Sequence, residues 1–258
     1  MPDSPPALSA LIIAKDEAAN IARVVAAVRV HCAEVLVVDT GSTDATVVLA
    51  EAAGARVLHS PWLGYGPTKN WGARQCAHDW VWSLDADEVP DGALLAAVAK
   101  TRRDVPSTVL GMRRVTDYCG HWVEHGAWGR DIVWRVYHRG ASRWDERAVH
   151  EKLVTDGGGE RQVLGGTLMH YSYPTREAFA AKQARYLELS VRAMRAEGRR
   201  AGWTKRHVAP LWRGFRDYVL RGGWRDGRAG LEIARADVRM VREKYRRLGE
   251  APGAVTAT

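Results

Sequence analysis

The chain has 258 residues, with 38 Lys+Arg against 30 Asp+Glu and a formal net charge of +8, enough to bury a sizeable core in one large domain or in one domain plus an extension. Its three cysteines, Cys32, Cys76 and Cys119, are far apart and lack a Cys-x-x-Cys spacing, which argues against a disulfide framework and against a thiolate zinc site. Residues 1–6 (MPDSPP) contain no basic segment and the next apolar run is five residues, far short of a signal core or of a span of about 20 residues, so a cytoplasmic location is expected.

In chain order, Ser9 to Ala14 (SALIIA) reads as a short buried strand ending in Lys15-Asp16-Glu17. Ile21, Val24, Val25 and Val28 then fall on one helical stripe facing a sheet. Val35 to Val38 is a second buried strand, closed by Asp39-Thr40-Gly41-Ser42-Thr43-Asp44, a run rich in capping and turn residues. The helix 45–53 follows, stopped by Gly54. Arg56 to Leu58 supplies a third strand, 67–78 a helix, and 80–84 a fourth strand. This alternation predicts an α/β fold with a Rossmann-like, mainly parallel sheet and flanking helices, whose ligands bind outside the carboxyl ends of the strands. Glu17, Asp39 and the pair Asp85 and Asp87 all fall at such ends.

Residues 84–88 read Leu84-Asp85-Ala86-Asp87-Glu88 directly after the apolar run Trp80-Val81-Trp82. Three clustered carboxylates repel one another and titrate upward unless a cation neutralises them, and Mg²⁺ or Mn²⁺ on one or two carboxylates completes its shell with phosphate and water. A nucleotide diphosphate is the implied ligand.

VVDTGSTDAT at 37–46, GYGPTKNWGARQCA at 64–77 and LDADE at 84–88 together resemble the family 2 glycosyltransferases of the GT-A fold, in particular the branch of lipopolysaccharide-core β-1,4-glucosyltransferases. The resemblance covers about residues 8–175. It implies that Asp39 contacts the base, that Asp85 reaches the ribose or the metal, that Asp87 binds the metal, and that Lys69 lies near the diphosphate. Ala14, Lys15 and Glu17 at the first strand end, and Ala86 between the two acids, complete the expected nucleotide-sugar contacts. Asp16 stands where the family usually has Asn, and Thr40 where it has Ser or Asp.

Residues 107–170 read as irregular and strand segments rich in tryptophan: Trp122, Trp128, Trp134 and Trp144 are each either sugar platforms or core. Inverting transfer is a single displacement, so a base must take the acceptor proton, and in the family a carboxylate after the metal motif does so. Glu151 in VHEKL is the expected base, with Asp145, Glu146 and Asp131 as competitors and an ion pair with Lys152 or Arg147 as its ordinary structural role. His170, ending the strand 163–169, is the candidate third metal ligand or a donor to the leaving diphosphate.

Charge divides the chain at about residue 175. Residues 1–175 hold 18 Lys+Arg against 21 Asp+Glu, whereas 176–258 hold 20 against 9. The second part reads as a basic α-helical extension with helices at 176–198, 207–220 and 228–248 and a packing seam of Leu231, Ala234, Val238, Val241, Tyr245 and Leu248. Between 192 and 228, 11 Lys/Arg and three acids are interleaved with Trp203, Trp212, Phe215, Tyr218 and Trp224. Such a mixture suits the headgroup zone of an anionic membrane, through residues 199–228, and also suits nucleic acid.

The expected activity is therefore inverting, metal-dependent transfer of a hexose, glucose first, from a UDP-sugar to a lipopolysaccharide-core or other lipid-linked saccharide at the inner face of the cell membrane, with no nucleic-acid partner. A metal-dependent nucleotidyltransferase is the alternative enzyme, but AKDEAAN after the first strand lacks the glycine of a triphosphate loop. A non-catalytic basic nucleic-acid-binding protein is the alternative binder, and it leaves the acids at the strand ends unexplained.

Overall fold

The computed structural model describes residues 7–147 and 151–249. The chain divides into two compact units. One runs to Arg114 and resumes from Asp131 to Tyr171; the other takes Val115–Arg130 and the chain from Ser172 onward. Residues 115–130 thus group with the C-terminal helices rather than with the rest of 1–175.

The first unit opens with β1 (Leu8–Ala14), α1 (Ile21–Arg29), β2 (Glu34–Asp39), α2 (Thr46–Ala52), β3 (Arg56–His59), α3 (Tyr65–Gln75) and β4 (Trp80–Asp85). These match the expected strands and helices to within a few residues. The four strands pair in parallel in the order β3-β2-β1-β4. β1 is buried on both faces. Ala10 and Ile12 pack with Val24 and Val28 of α1, whereas Leu11 and Ile13 pack with Ala73 and Cys76 at the end of α3, as the period-2 alternation of a central strand requires.

Beyond β4 the pattern changes, because a two-residue turn rather than a crossover helix leads into β5 (Glu88–Pro90). After α4 (Gly92–Lys100) come β6 (Val109–Tyr118), β7 (His121–Val123), β8 (Asp131–His138), β9 (Ser142–Trp144), β10 (Leu153–Thr155) and β11 (Arg161–Tyr173). The sheet continues β4-β8-β6-β11-β5, with β8 antiparallel to both β4 and β6 and β11 antiparallel to β5. β9 and β10 form a separate antiparallel pair. No crossover helix is needed for antiparallel neighbours, which explains why 107–170 gives no helical periodicity.

The second unit contains α5 (Arg176–Ala196), α6 (Trp203–Phe215) and α7 (Gly227–Leu248). A π turn, Arg216–Leu220, continues α6, and a short 3₁₀ turn, Gly223–Asp226, precedes α7. Tyr118, Phe179 and Ile233 form one core with Trp128 and Tyr173, whose rings stack 5.4 Å apart. Leu187 and Val191 of α5 meet Leu248 of α7 in another. Trp128 is therefore a core residue. Among the described residues no helix is long and apolar enough to cross a membrane.

Candidate active site

Register brings the strand-end acids together. Ala14 is paired with Asp39 on one side of β1 and Ile13 with Asp85 on the other, so both carboxylates leave the sheet at the same edge. The loops that follow β1 and β2 are braced against each other. Asp16 Oδ1 accepts from Thr43 N at 2.7 Å, Ser42 Oγ accepts from Asp16 N at 2.9 Å, and Thr46 Oγ1 accepts from Glu17 N at 2.7 Å. Asp16 has φ +54°, a region that Asn and Asp enter more readily than other non-glycine residues, so Asp in place of Asn keeps this turn. Thr40 replaces the usual residue without loss of a bond: its N and Oγ1 both donate to Ala14 O, at 3.0 and 3.1 Å.

Asp39 is buried, and its carboxylate shapes the loop that follows it. It accepts from Gly41 N and Ser42 N, each at 3.1 Å, and lies 3.1 Å from His59 Nδ1. Burial pushes this carboxyl up, but the bonds from Ser42, Gly41 and His59 more than offset it and leave it below the usual range. Lys15 is exposed at the mouth of this clasp, and Glu17 Oε2 accepts from Asn20 Nδ2 at 3.0 Å.

Lys69 enters from α3, which lies close on the sheet because Gly72 has no side chain; a Cβ there would sit 2.6 Å from Leu11 Cδ1. Asn70 clamps α3 to β9 by a two-way bond with the backbone of Trp144, at 2.8 and 2.9 Å. Lys69 is 1% exposed, its ammonium 4.6 Å from the Trp144 ring centroid, so the buried Trp144 is a wall for this cation rather than an open sugar platform. Lys69 Nζ stands 3.2 Å from Asp85 Oδ1 and 2.7 Å from Glu151 Oε1, bridging the acid that ends β4 and the expected base. The partner of Glu151 is thus Lys69, not Lys152 or Arg147.

The acidic run, expected to be neutralised by a divalent cation on one or two of its carboxylates, is met by arginines of the chain itself. Arg135 on β8 donates to both Asp85 Oδ2 and Glu88 Oε1 at 2.6 Å, and Arg114 on β6 reaches Glu88 Oε1 at 2.9 Å. Glu88 is fully buried and also accepts from Asp85 N at 3.1 Å. Desolvation pushes the Asp85 carboxyl up, but Arg135, Lys69 and then Arg114 outweigh it and hold it well below the usual carboxylate range. Asp87 occupies the turn after β4, its backbone oxygen accepting from Tyr171 N at 2.8 Å. β11 pairs His170 with Glu88, which sets His170 Nε2 3.2 Å from Asp87 Oδ2.

Among the described residues no group of three or more His, Cys, Asp or Glu is gathered to hold a metal. Asp87 and His170 come together, while Asp85 faces Lys69 and Arg135. Ala86 is buried between the two acids. Of the competing bases, Asp131 pairs with Arg114 and Asp145 with Arg147. Asp145 also accepts from Lys152 N at 3.0 Å, and Glu146 is exposed. Arg114 and Arg135, and the burial of Glu88 between them, were not anticipated. One sequence signal for Arg135 exists, a lone cation inside the apolar strand IVWRVY.

The depressed Asp85 carboxyl fixes a sign for the pH dependence. A group whose folded pKa lies below its unfolded value of about 3.9 contributes stability above that value and loses it as pH falls through the folded pKa. In urea melts run at successive pH values, Asp85→Asn is expected to flatten the loss of stability below about pH 4. An acid limb identical to that of the parent would place the acid-sensitive carboxylate elsewhere.

A profile of Glycosyl transferase family 2 matches residues 9–165. The lipopolysaccharide core biosynthesis glycosyltransferase LpsC of Rhizobium meliloti (strain 1021) is 30% identical over 232 residues, covering 86% of this chain and 84% of that protein. An uncharacterized glycosyltransferase of Rickettsia bellii (strain RML369-C) is 26% identical over 232 residues, 83% of this chain and 76% of the relative. Among solved structures, glucosyl-3-phosphoglycerate synthase from Mycobacterium tuberculosis, in complex with Mn²⁺, UDP and glucosyl-3-phosphoglycerate, aligns at 22% identity and TM-score 0.35 over 43% of this chain and 44% of that one. The profile spans the strand-end acids, Lys69 and Glu151, and with the relative that matches over most of both lengths it shows that the chain is a glycosyltransferase belonging to glycosyl transferase family 2.

Proposed function

We propose that this glycosyltransferase moves a hexose, glucose first, from a UDP-sugar to a hydroxyl of a lipopolysaccharide-core or other lipid-linked saccharide, with inversion at the anomeric carbon. The observation that carries the reading is the Lys69 bridge, 3.2 Å from Asp85 and 2.7 Å from Glu151, because it sets a buried cation for the diphosphate beside a carboxylate for the acceptor. Similarity to LpsC supports the acceptor class.

Asp87 and His170 fit a divalent cation of the Mg²⁺ or Mn²⁺ kind, which takes one or two protein ligands and fills the rest of its shell from phosphate and water. Bound there, it supplies charge neutralisation for the departing diphosphate. Asp85, already bracketed by two cations, is better placed to position Lys69 or to meet the ribose than to serve as a metal ligand. In the reaction the bond from the anomeric carbon to the diphosphate oxygen breaks as the acceptor oxygen bonds to that carbon, and Glu151 takes the acceptor proton on its carboxylate. Lys69 donates to the diphosphate as charge grows on it, where fixed donors contribute most. Asp39, with Ala14, Lys15 and Glu17, forms the base and ribose side. Residues 199–228 face an anionic membrane that carries the acceptor on its cytoplasmic side, with no nucleic acid involved.

Calorimetric titration with UDP in the presence of Mn²⁺ tests the donor site. Parent protein is expected to bind, and Asp39→Ala to weaken both UDP and UDP-glucose by about 1.5–3 kcal/mol, the range for a lost bond to a charged group. Unchanged affinity in the variant would move base recognition to Glu17. Absence of UDP binding by the folded parent would overturn the donor assignment.

A further inference from the structure

An amphipathic helix ordinarily turns its apolar stripe toward the core, and α6 does the reverse. Val208, Leu211, Trp212 and Phe215 fall at i, i+3, i+4 and i+7, with Val219 four residues on, and they are 51%, 71%, 53%, 49% and 47% exposed. What α6 offers to α7 is small or polar. Pro210 is its only buried residue, and a Cβ on Gly214 would come 2.6 Å from Val238 Cγ2. Arg213 reaches the buried Asp237 at 3.2 Å. Asp217, also buried, gathers Arg213, Arg216 and Arg221. The large apolar side chains of α6 are therefore not what holds it in place.

Phe215 and Val219 also form one wall of an open groove of about 410 Å³, and Leu231, Ala234 and Val238 of α7 form the other. Arg235 and Arg239, one helical turn apart and exposed, line the same groove. Neither has an ion-pair partner among the described residues, nor do Arg200, Lys205 and Arg225. The surface thus combines the aligned apolar side chains, the exposed indole of Trp212 and the unpaired cations Arg235 and Arg239, the composition of a helix lying in a headgroup layer. A second copy paired by a two-fold axis through the groove would bring the Arg235 and Arg239 side chains of both copies close together, which their like charge opposes.

We infer that the outward face of α6, its π turn and the adjoining groove is a surface for anionic phospholipid bilayers, with Leu211, Trp212 and Phe215 among the acyl chains and Arg235 and Arg239 at lipid phosphates. It deepens the reading that the acceptor is membrane-anchored, and it alters the expected mode of attachment. Arg213, Arg216 and Arg221 are engaged internally, so apolar insertion retains the protein after the remaining cations attract it.

The test uses the full chain and vesicles of phosphatidylcholine with or without phosphatidylglycerol, read by co-sedimentation. The parent is expected to partition onto mixed vesicles. Leu211→Ser with Phe215→Ser, both exposed sites, should cut partitioning at least about a hundredfold, tenfold or more for each side chain withdrawn from lipid. Arg235→Gln with Arg239→Gln should cut it roughly 30-fold on mixed vesicles but not on pure phosphatidylcholine, at about 1 kcal/mol per cation. Thermal unfolding and UDP binding should be unchanged in both pairs. A parent that ignores mixed vesicles, or a Leu211/Phe215 pair that binds like the parent, would overturn the inference. So would a dimer in light scattering that this pair splits without any vesicle binding. Loss of UDP binding by the parent, with vesicle binding intact, would count against the donor reading alone.

Discussion

Glu151→Gln is expected to lower kcat by about 10²–10⁴ while leaving donor binding intact, the range for removing a general base. The amide keeps the size of the side chain and can still accept from Lys69 Nζ, now at 2.7 Å, so α3 stays in place. What it cannot do is take the acceptor proton. Slow hydrolysis of UDP-glucose should persist, since water at the anomeric carbon depends on the diphosphate side of the site. Rates of transfer and of hydrolysis, measured separately under saturating donor, decide the matter. A near-parental transfer rate in Glu151→Gln, beside an inactive Asp145→Asn or Glu146→Gln, would move the role to that neighbour. Asp145 starts at a disadvantage, because its carboxylate already accepts from Lys152 N and pairs with Arg147.

Asp87→Asn should lower transfer at least about a thousandfold and remove the metal dependence of UDP binding, because the several kcal/mol of charge stabilisation at the leaving group depends on a ligand with full negative charge. The fold should be little affected. An amide oxygen can still accept from His170, now 3.2 Å away, and the turn is held by its backbone bond to Tyr171 N. Asp85→Asn is the useful contrast, since it takes one of two carboxylate partners from each of the buried cations Lys69 and Arg135 and should lose stability together with activity. Transfer that survives in EDTA, or in Asp87→Asn, would remove the metal from the mechanism.

The sequence by itself determined the β-α-β-α order, the strand ends at which Asp39 and Asp85 stand, and the concentration of positive charge after residue 175. Those features rest on short-range patterns: the continuous apolar run of β1, the stripe Ile21, Val24, Val25 and Val28 in α1, and turn chemistry at 39–44. Each is written within a dozen residues. Only the tertiary structure decided which cation meets which acid. Arg135 lies fifty residues from Asp85, and Lys69 and Glu151 are separated by 82 residues. A carboxylate cluster read alone calls equally for a metal, a lysine or a guanidinium, because electrostatic neutralisation depends on distance and not on the kind of cation. The antiparallel strands after β4 and the grouping of 115–130 with the helices are likewise long-range pairings that leave no local period. The outward turn of α6 has the same origin: a helical stripe specifies that one face is apolar, and packing against α7 through Gly214 and Asp237 decides that this face points away from it.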